Sequence, residues 1–251
     1  MDDEWSANFG IFTENPFDVE SPMIDKFATK VTNLVPELDT VELDKAKKTW
    51  RLIQAARKGH PRLPREIEID SGGLVAAAGS GLSPAERVAF LRGVSSAAEQ
   101  LEISKFNTSV VDLKYIFRIP HWGNHHDLIA NTLLSHSPLS GLAQKVSGAI
   151  VGLELRTTVR IPGEENLLCV ITVRPQTTRD EIQRGEYDGD DIRVVCGIAR
   201  VSDFWKAGTF EDMFVELHQT WQDHLKKVIV GDFVLPIKQN AVSSKPLNDS
   251  E

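Results

Sequence analysis

Four segments in the second half of the chain, 109–119, 149–161, 167–174 and 192–201, alternate hydrophobic and polar residues with a period of two, which predicts consecutive strands of one sheet. In the first, Val111, Leu113, Tyr115, Phe117 and Ile119 point one way, and Asp112, Lys114, Ile116 and Arg118 the other. In the second, Val151, Leu153, Leu155, Val159 and Ile161 oppose Glu154, Arg156, Thr158 and Arg160. The third and fourth differ. Leu167, Cys169, Ile171 and Val173 alternate with Leu168, Val170 and Thr172, so both faces are largely apolar. Strands of that kind are central or covered on both sides, here by helices or by a second subunit.

Helical spacing governs much of the rest. Ser21-Pro22 reads as a cap with proline at the first helical position, followed by Met23, Phe27, Val31 and Leu34. A second helix is expected from Asp39 to Gly59, with Leu43, Ala46, Trp50, Ile53 and Ala56 inward and Lys45, Lys47, Lys48, Arg51, Arg57 and Lys58 outward. Residues 66–70 alternate like a short strand, and the glycines after them do not match a phosphate-binding loop. Ser83-Pro84-Ala85-Glu86 is a capping box opening a helix with Val88, Leu91, Val94, Ala98 and Leu101 as its stripe. Asn124 caps a further helix through Leu134, and another helical piece is expected over 139–146. Pro162-Gly163 turns a hairpin, and the acidic residues over 180–191 read as a solvated loop. Thr209 opens a long helix whose stripe is Phe210, Met213, Phe214, Leu217, Trp221, Leu225 and Val228, ending at Gly231.

These elements predict an α+β protein: a mixed, mainly antiparallel sheet packed by a long C-terminal helix, with an N-terminal helical portion. The expected organisation is an acidic flexible arm over 1–20, helices over 21–104, the sheet domain over 105–237 and a polar disordered tail over 238–251. With 251 residues, 41% of them hydrophobic, the chain can bury a sizeable core. A net charge of −8 and a pI near 5.4 oppose wholesale nucleic-acid binding, since that affinity rests on phosphate neutralisation. Cys169 and Cys196 sit inside apolar strand patterns and read as buried free thiols. Neither a leader segment nor a membrane span is legible, so a cytoplasmic location is expected.

Two constellations carry candidate chemistry. His121, His125, His126 and Asp127 bring together residue types able to bind a metal or move protons, although adjacent His125 and His126 cannot share one helical face. The basic residues Lys47, Lys48 and Arg51 of the second helix, with Lys114, Arg118, Arg156 and Arg160 on the polar sheet face, offer a binding surface. Arg174 and Arg193 fall at its edge. The aromatics Tyr115 and Phe117 lie on the opposite face, which disfavours base stacking. His218 and His224 read as helix-border residues, and motifs of hydrolases, kinases and redox enzymes are absent from the sequence.

The string Asp112-Leu113-Lys114-Tyr115-Ile116-Phe117-Arg118-Ile119, the hairpin at Pro162-Gly163, the strand ending near Ser202-Asp203-Phe204 and the helix bearing Leu217-His218 resemble the closing half of a sporadically distributed bacterial family of uncharacterised proteins. The resemblance covers about 109–232. Family members begin with an apolar strand, whereas an acidic arm and two helices are expected here. The resemblance implies no catalytic residues, and an accessory role in defence, toxin control or a mobile element.

The leading expectation is a non-catalytic interaction or regulatory protein whose partner is another protein or a second copy of itself, with no cofactor, no metal and no membrane. One alternative is a metal-assisted hydrolase or nuclease using the His121–Asp127 region. The other is an RNA-binding module using the basic helix and sheet face.

Overall fold

The computed structural model of the chain describes residues 4–14, 16, 18–19, 22–44, 46, 48–54, 64–79, 81–101, 108–137, 149–160, 166–203 and 209–242. Alternation of apolar and polar residues builds far more of it than the second half. The expected acidic arm contains β1 (Glu4–Phe12), whose Ala7, Phe9 and Ile11 are completely buried. Small Ala7 and Gly10 conceal a period of two that Trp5, Phe9 and Phe12 alone do not reveal. The N-terminal portion is therefore not helical at its start.

The helix expected from Asp39 is a hairpin of β2 (Thr40–Asp44) and β3 (Thr49–Ile53). Its inward residues were assigned on helical spacing, but β-branched Thr40, Val41 and Thr49 with alternating Leu52 favour extended backbone. Lys48 takes a left-handed conformation, φ 53°, in the turn between them. β4 (Arg65–Asp70) and β5 (Gly73–Ala78) continue the meander. Gly73 is a close-approach position: a Cβ there would meet the Ile11 carbonyl oxygen.

α1 (Pro22–Leu34) and α2 (Pro84–Ala98) form where proline at the first turn predicts them. The Ser83–Glu86 capping box is present, with Ser83 N–H donating to Glu86 Oε2 at 2.8 Å. The second half follows as β6 (Thr108–Pro120), α3 (His125–Leu133), β7 (Leu155–Arg160), β8 (Leu167–Arg174), α4 (Arg179–Arg184) and β9 (Asp191–Ser202). β7 is shorter than the alternation over 149–161 suggests. Val151 and Val159 are exposed, because β7 is an edge strand where the expected core face finds no helix among the described residues. The helical piece expected over 139–146 and the hairpin turn at Pro162-Gly163 lie outside the described residues.

The nine strands among the described residues form one sheet in the order β2-β3-β4-β5-β1-β6-β9-β8-β7, and every pairing in it is antiparallel, so the sheet is antiparallel rather than mixed. The order has a repeat in it. In each half the first strand pairs with the last strand of its own half, β1 with β5 and β6 with β9, and a helix follows that last strand. The two first strands meet antiparallel at the centre, with Asn8 opposite Asp112. One hydrophobic cluster runs under both halves, on the face of the sheet that carries the helices.

α5 begins at Thr209–Thr220, passes through π-helical turns at Trp221–Leu225 and Ile229–Val234, and ends with Leu235–Asn240. Gly231 does not end it, and residues 238–240 of the expected tail are its last turn. Each wide turn moves the buried stripe round the helix. Val228, expected inside, is exposed, and Ile229, Val234 and Ile237 are buried instead. Trp221 stacks on Tyr115 with ring centroids 3.8 Å apart and joins the helix to the middle of β6. No helix among the described residues is long and apolar enough to cross a membrane.

Candidate functional site

The histidine cluster forms where β6 ends and α3 begins. Asn124 caps α3 by accepting from the His126 N–H at 3.0 Å, and its amide donates to Asp127 Oδ2 at 2.9 Å. That cap swings His125 and His126 into the interior, where each is buried together with His121.

Five of the six ring nitrogens of His121, His125 and His126 have backbone partners. Nδ1 of His121 accepts from the Val242 N–H at 3.0 Å, that of His125 from Gln176 at 3.1 Å and that of His126 from Leu153 at 2.9 Å. Nε2 of His125 donates to the His121 carbonyl at 3.1 Å, and Nε2 of His126 to that of Thr177 at 3.2 Å. Asp127 Oδ1 accepts from the Ile150 N–H at 3.3 Å. The cluster thus fastens the end of β6, the segment before β7, the loop after β8 and the end of α5 to one another. It also ties Val242, within the expected tail, to the end of β6.

Electrostatics agree with this role. Burial, and then repulsion from a charged His125, pushes the His121 pKa down to about 4, and burial lowers that of His125. Both rings are neutral at pH 7 with Nδ1 as acceptor. Nearby Glu181 belongs to α4 rather than to a solvated loop. Burial opposes its ionisation, but hydrogen bonds from Thr178 and Asp188 outweigh that and hold its pKa low. No three His, Cys, Asp or Glu side chains among the described residues converge as metal ligands would.

The other constellation lies on the sheet face opposite the helices. Even-numbered residues of β6 and β8 and odd-numbered residues of β9 point there, and they line a groove of about 410 Å³. Ile116, Leu168, Val170, Val195, Gly197 and Ala199 make its floor. Lys114, Arg118, Arg156, Arg174 and Arg193 surround it. Carboxylates share the face with them: Asp112, 3.1 Å from Lys114; Glu154, 3.1 Å from Arg174; and, by strand parity, Asp191 of β9 beside Arg193. Five cations line this groove, in a chain whose net charge is −8. Asp112 also accepts from Asn8 at 2.9 Å, fixing the groove to β1.

Sequence and structure place the predicted basic residues differently. Lys114, Arg118 and Arg156 line the groove; Arg160 is exposed on β7 beyond it. Arg51 sits on β3, ion-paired with Glu66 and, at 3.1 Å, with Glu42. Lys48 is in the adjacent turn and Lys47 lies outside the described residues, so there is no basic helix. The expected pairing of both faces of β8 and β9 with a cover is half met: α5 covers one face, and the groove lies on the other. Strand parity placed Arg174 and Arg193 at the margin, but only strand register shows them beside Arg118. Cys169 and Cys196 are free and buried, with their sulfurs 3.7 Å apart.

His218 borders α5 as expected and meets the Tyr115 hydroxyl at 3.3 Å. The chain matches no protein-family model, and no curated protein is similar to it in sequence.

Proposed function

We propose that the chain is a non-catalytic interaction protein that docks a partner polypeptide on the open face of β6, β9 and β8. The observation that carries this reading is the groove: an apolar floor of Ile116, Leu168, Val170 and Val195 inside a basic border. Apolar strand residues on a face that carries no helix among the described residues favour contact with another polypeptide, and the border adds selectivity for negative charge. Such a docking module is compatible with the accessory role that the family resemblance implies.

The hydrolase reading is less well supported, because the histidines that would serve it spend five of their six ring nitrogens on backbone partners. The RNA reading loses the helix expected over Thr40–Ile53, and among the described residues no aromatic side chain lines the groove for base stacking.

Selection of a displayed random-peptide library on the folded protein tests the proposal. Peptides are expected to enrich on the wild type and to fail on Val170→Glu, which places a charge in the floor while leaving the helix-side core alone. Enrichment that is equal on both proteins, or absent from the wild type, contradicts docking in the groove.

A further inference from the structure

The open face of the sheet changes sign along the line where β1 meets β6. In the first half, parity puts Glu42 and Asp44 of β2, Arg51 of β3, and Glu66, Glu68 and Asp70 of β4 on that face. Arg51 is shared by Glu42, Glu66 and Glu68, so this half stays acidic after its own ion pairs form. In the second half the face carries Lys114, Arg118, Arg156, Arg160, Arg174 and Arg193. Arg118, Arg193 and Arg174 stand there in a row across three strands. Asp112 and Asp191 on the strands and Glu154 beside β7 offset half of these six charges among the described residues, which leaves this half basic. Arg156 and Arg160 pair with no carboxylate among the described residues. Apolar groups run through both halves: Phe12 of β1 and Val75 of β5, each more than a third exposed, share the face with Val170 and Val195.

Nine strands about 4.8 Å apart make this face roughly 40 Å wide, and strands of five to thirteen residues make it at least about 20 Å long. That is about 800 Å², the area one partner contributes to a standard stable interface. We infer that the occupant of the open face is a second copy of the chain, laid face to face so that the first half of each covers the second half of the other. A two-fold axis in the plane of contact makes both contacts at once and closes the assembly at two. Each contact sets an acidic half against a basic half and brings Phe12 and Val75 of one copy towards the apolar floor of the other. The shared strand path of the two halves about β1 and β6 suits this exchange, since each meets a surface built like itself. The inference rests on the docking reading and names its partner. A Kd in the micromolar range, the weak end for that area, leaves the face open to displayed peptides when the protein is dilute.

Sedimentation velocity of the full chain from about 1 to about 100 μM tests the inference. The wild type is expected to pass from monomer to dimer over that range, and Val170→Glu to stay monomeric. Two charge-reversed proteins test the arrangement, one carrying Glu42→Lys with Glu68→Lys and the other Arg156→Glu with Arg160→Glu, all at exposed positions. Each alone is expected to dimerise at least about tenfold more weakly than the wild type. Mixed one to one, they are expected to dimerise more tightly than either alone, because one of the two contacts again sets acid against base. A wild type that stays monomeric throughout overturns the second copy, and the docking reading then stands or falls on the peptide selection. A dimer that survives Val170→Glu and both reversals overturns the inference by putting the contact on another surface. A mixture that dimerises no better than its components overturns the pairing of acidic with basic halves.

Discussion

Replacing Arg193 by valine should make the free protein more stable, an unusual result for a half-buried strand residue. Two cross-strand like-charge pairs disappear, with Arg118 on one side and Arg174 on the other. Each such pair costs roughly 0.2–1 kcal/mol. The buried Nε without a partner disappears as well, which is worth about 1 kcal/mol. Valine suits a strand whose same-face neighbour is Val195, so part of the lost methylene packing returns. The net expectation is a stabilisation of about 1–3 kcal/mol, or an increase in Tm on the order of 5 °C for a chain of this length. Thermal melts followed by circular dichroism at low and high salt provide the assay. The repulsive part should fade as salt screens the row, so the gain should be larger at low salt. Arg193→Lys, which keeps the charge, should give a smaller gain. A Tm at or below that of the wild type at low salt would refute the claim that the row is an unfavourable arrangement in the free protein.

Acid should loosen the histidine cluster before it acts elsewhere. His121 has a pKa of about 4 in the fold against about 6.5 in the unfolded chain, so the unfolded chain binds more protons in that interval. Stability should therefore be complete above pH 6.5 and fall towards pH 4, by about 2 kcal/mol at pH 5 from this residue; His121→Gln should flatten that slope in urea titrations. His126→Ala should cost about 2–4 kcal/mol, because the Leu153 N–H and the Thr177 carbonyl both lose a partner, while binding on the sheet face should stay unchanged. Ser83→Ala should lower stability by about 1 kcal/mol through loss of the α2 cap, measured as a shift of the urea midpoint at constant m-value.

Much of the second half was legible because its strands obey parity without interruption. Val111 to Ile119 and Ile192 to Ile198 are buried at every alternate residue, as the pattern requires. The capping residues Ser83 and Asn124 were equally readable, since both act within three residues of themselves. β1 was hidden by its composition. An acidic start and a small inward Ala7 mask a strand whose burial comes from neighbours on both sides, β5 and β6. The β2–β3 hairpin is masked because Leu43, Ala46, Trp50 and Ile53 fall at helical spacing, while tertiary pairing with β4 decides the outcome. At the site, parity put the cations on one face, but the row of Arg118, Arg193 and Arg174 depends on register between strands tens of residues apart. The histidines show the opposite case: their residue types suggested chemistry, and long-range backbone partners such as Gln176 and Val242 turned them into fasteners.

The central claim is that the open face of β6, β9 and β8 receives a partner polypeptide. Methyl NMR of Ile-, Leu- and Val-labelled protein, titrated with a peptide enriched from the displayed library, tests it most directly. Shifts should concentrate on Ile116, Leu168, Val170 and Val195, with Val215 on α5 and Val151 unmoved. Unmoved groove methyls at saturating peptide, or shifts centred on α5, would contradict the account.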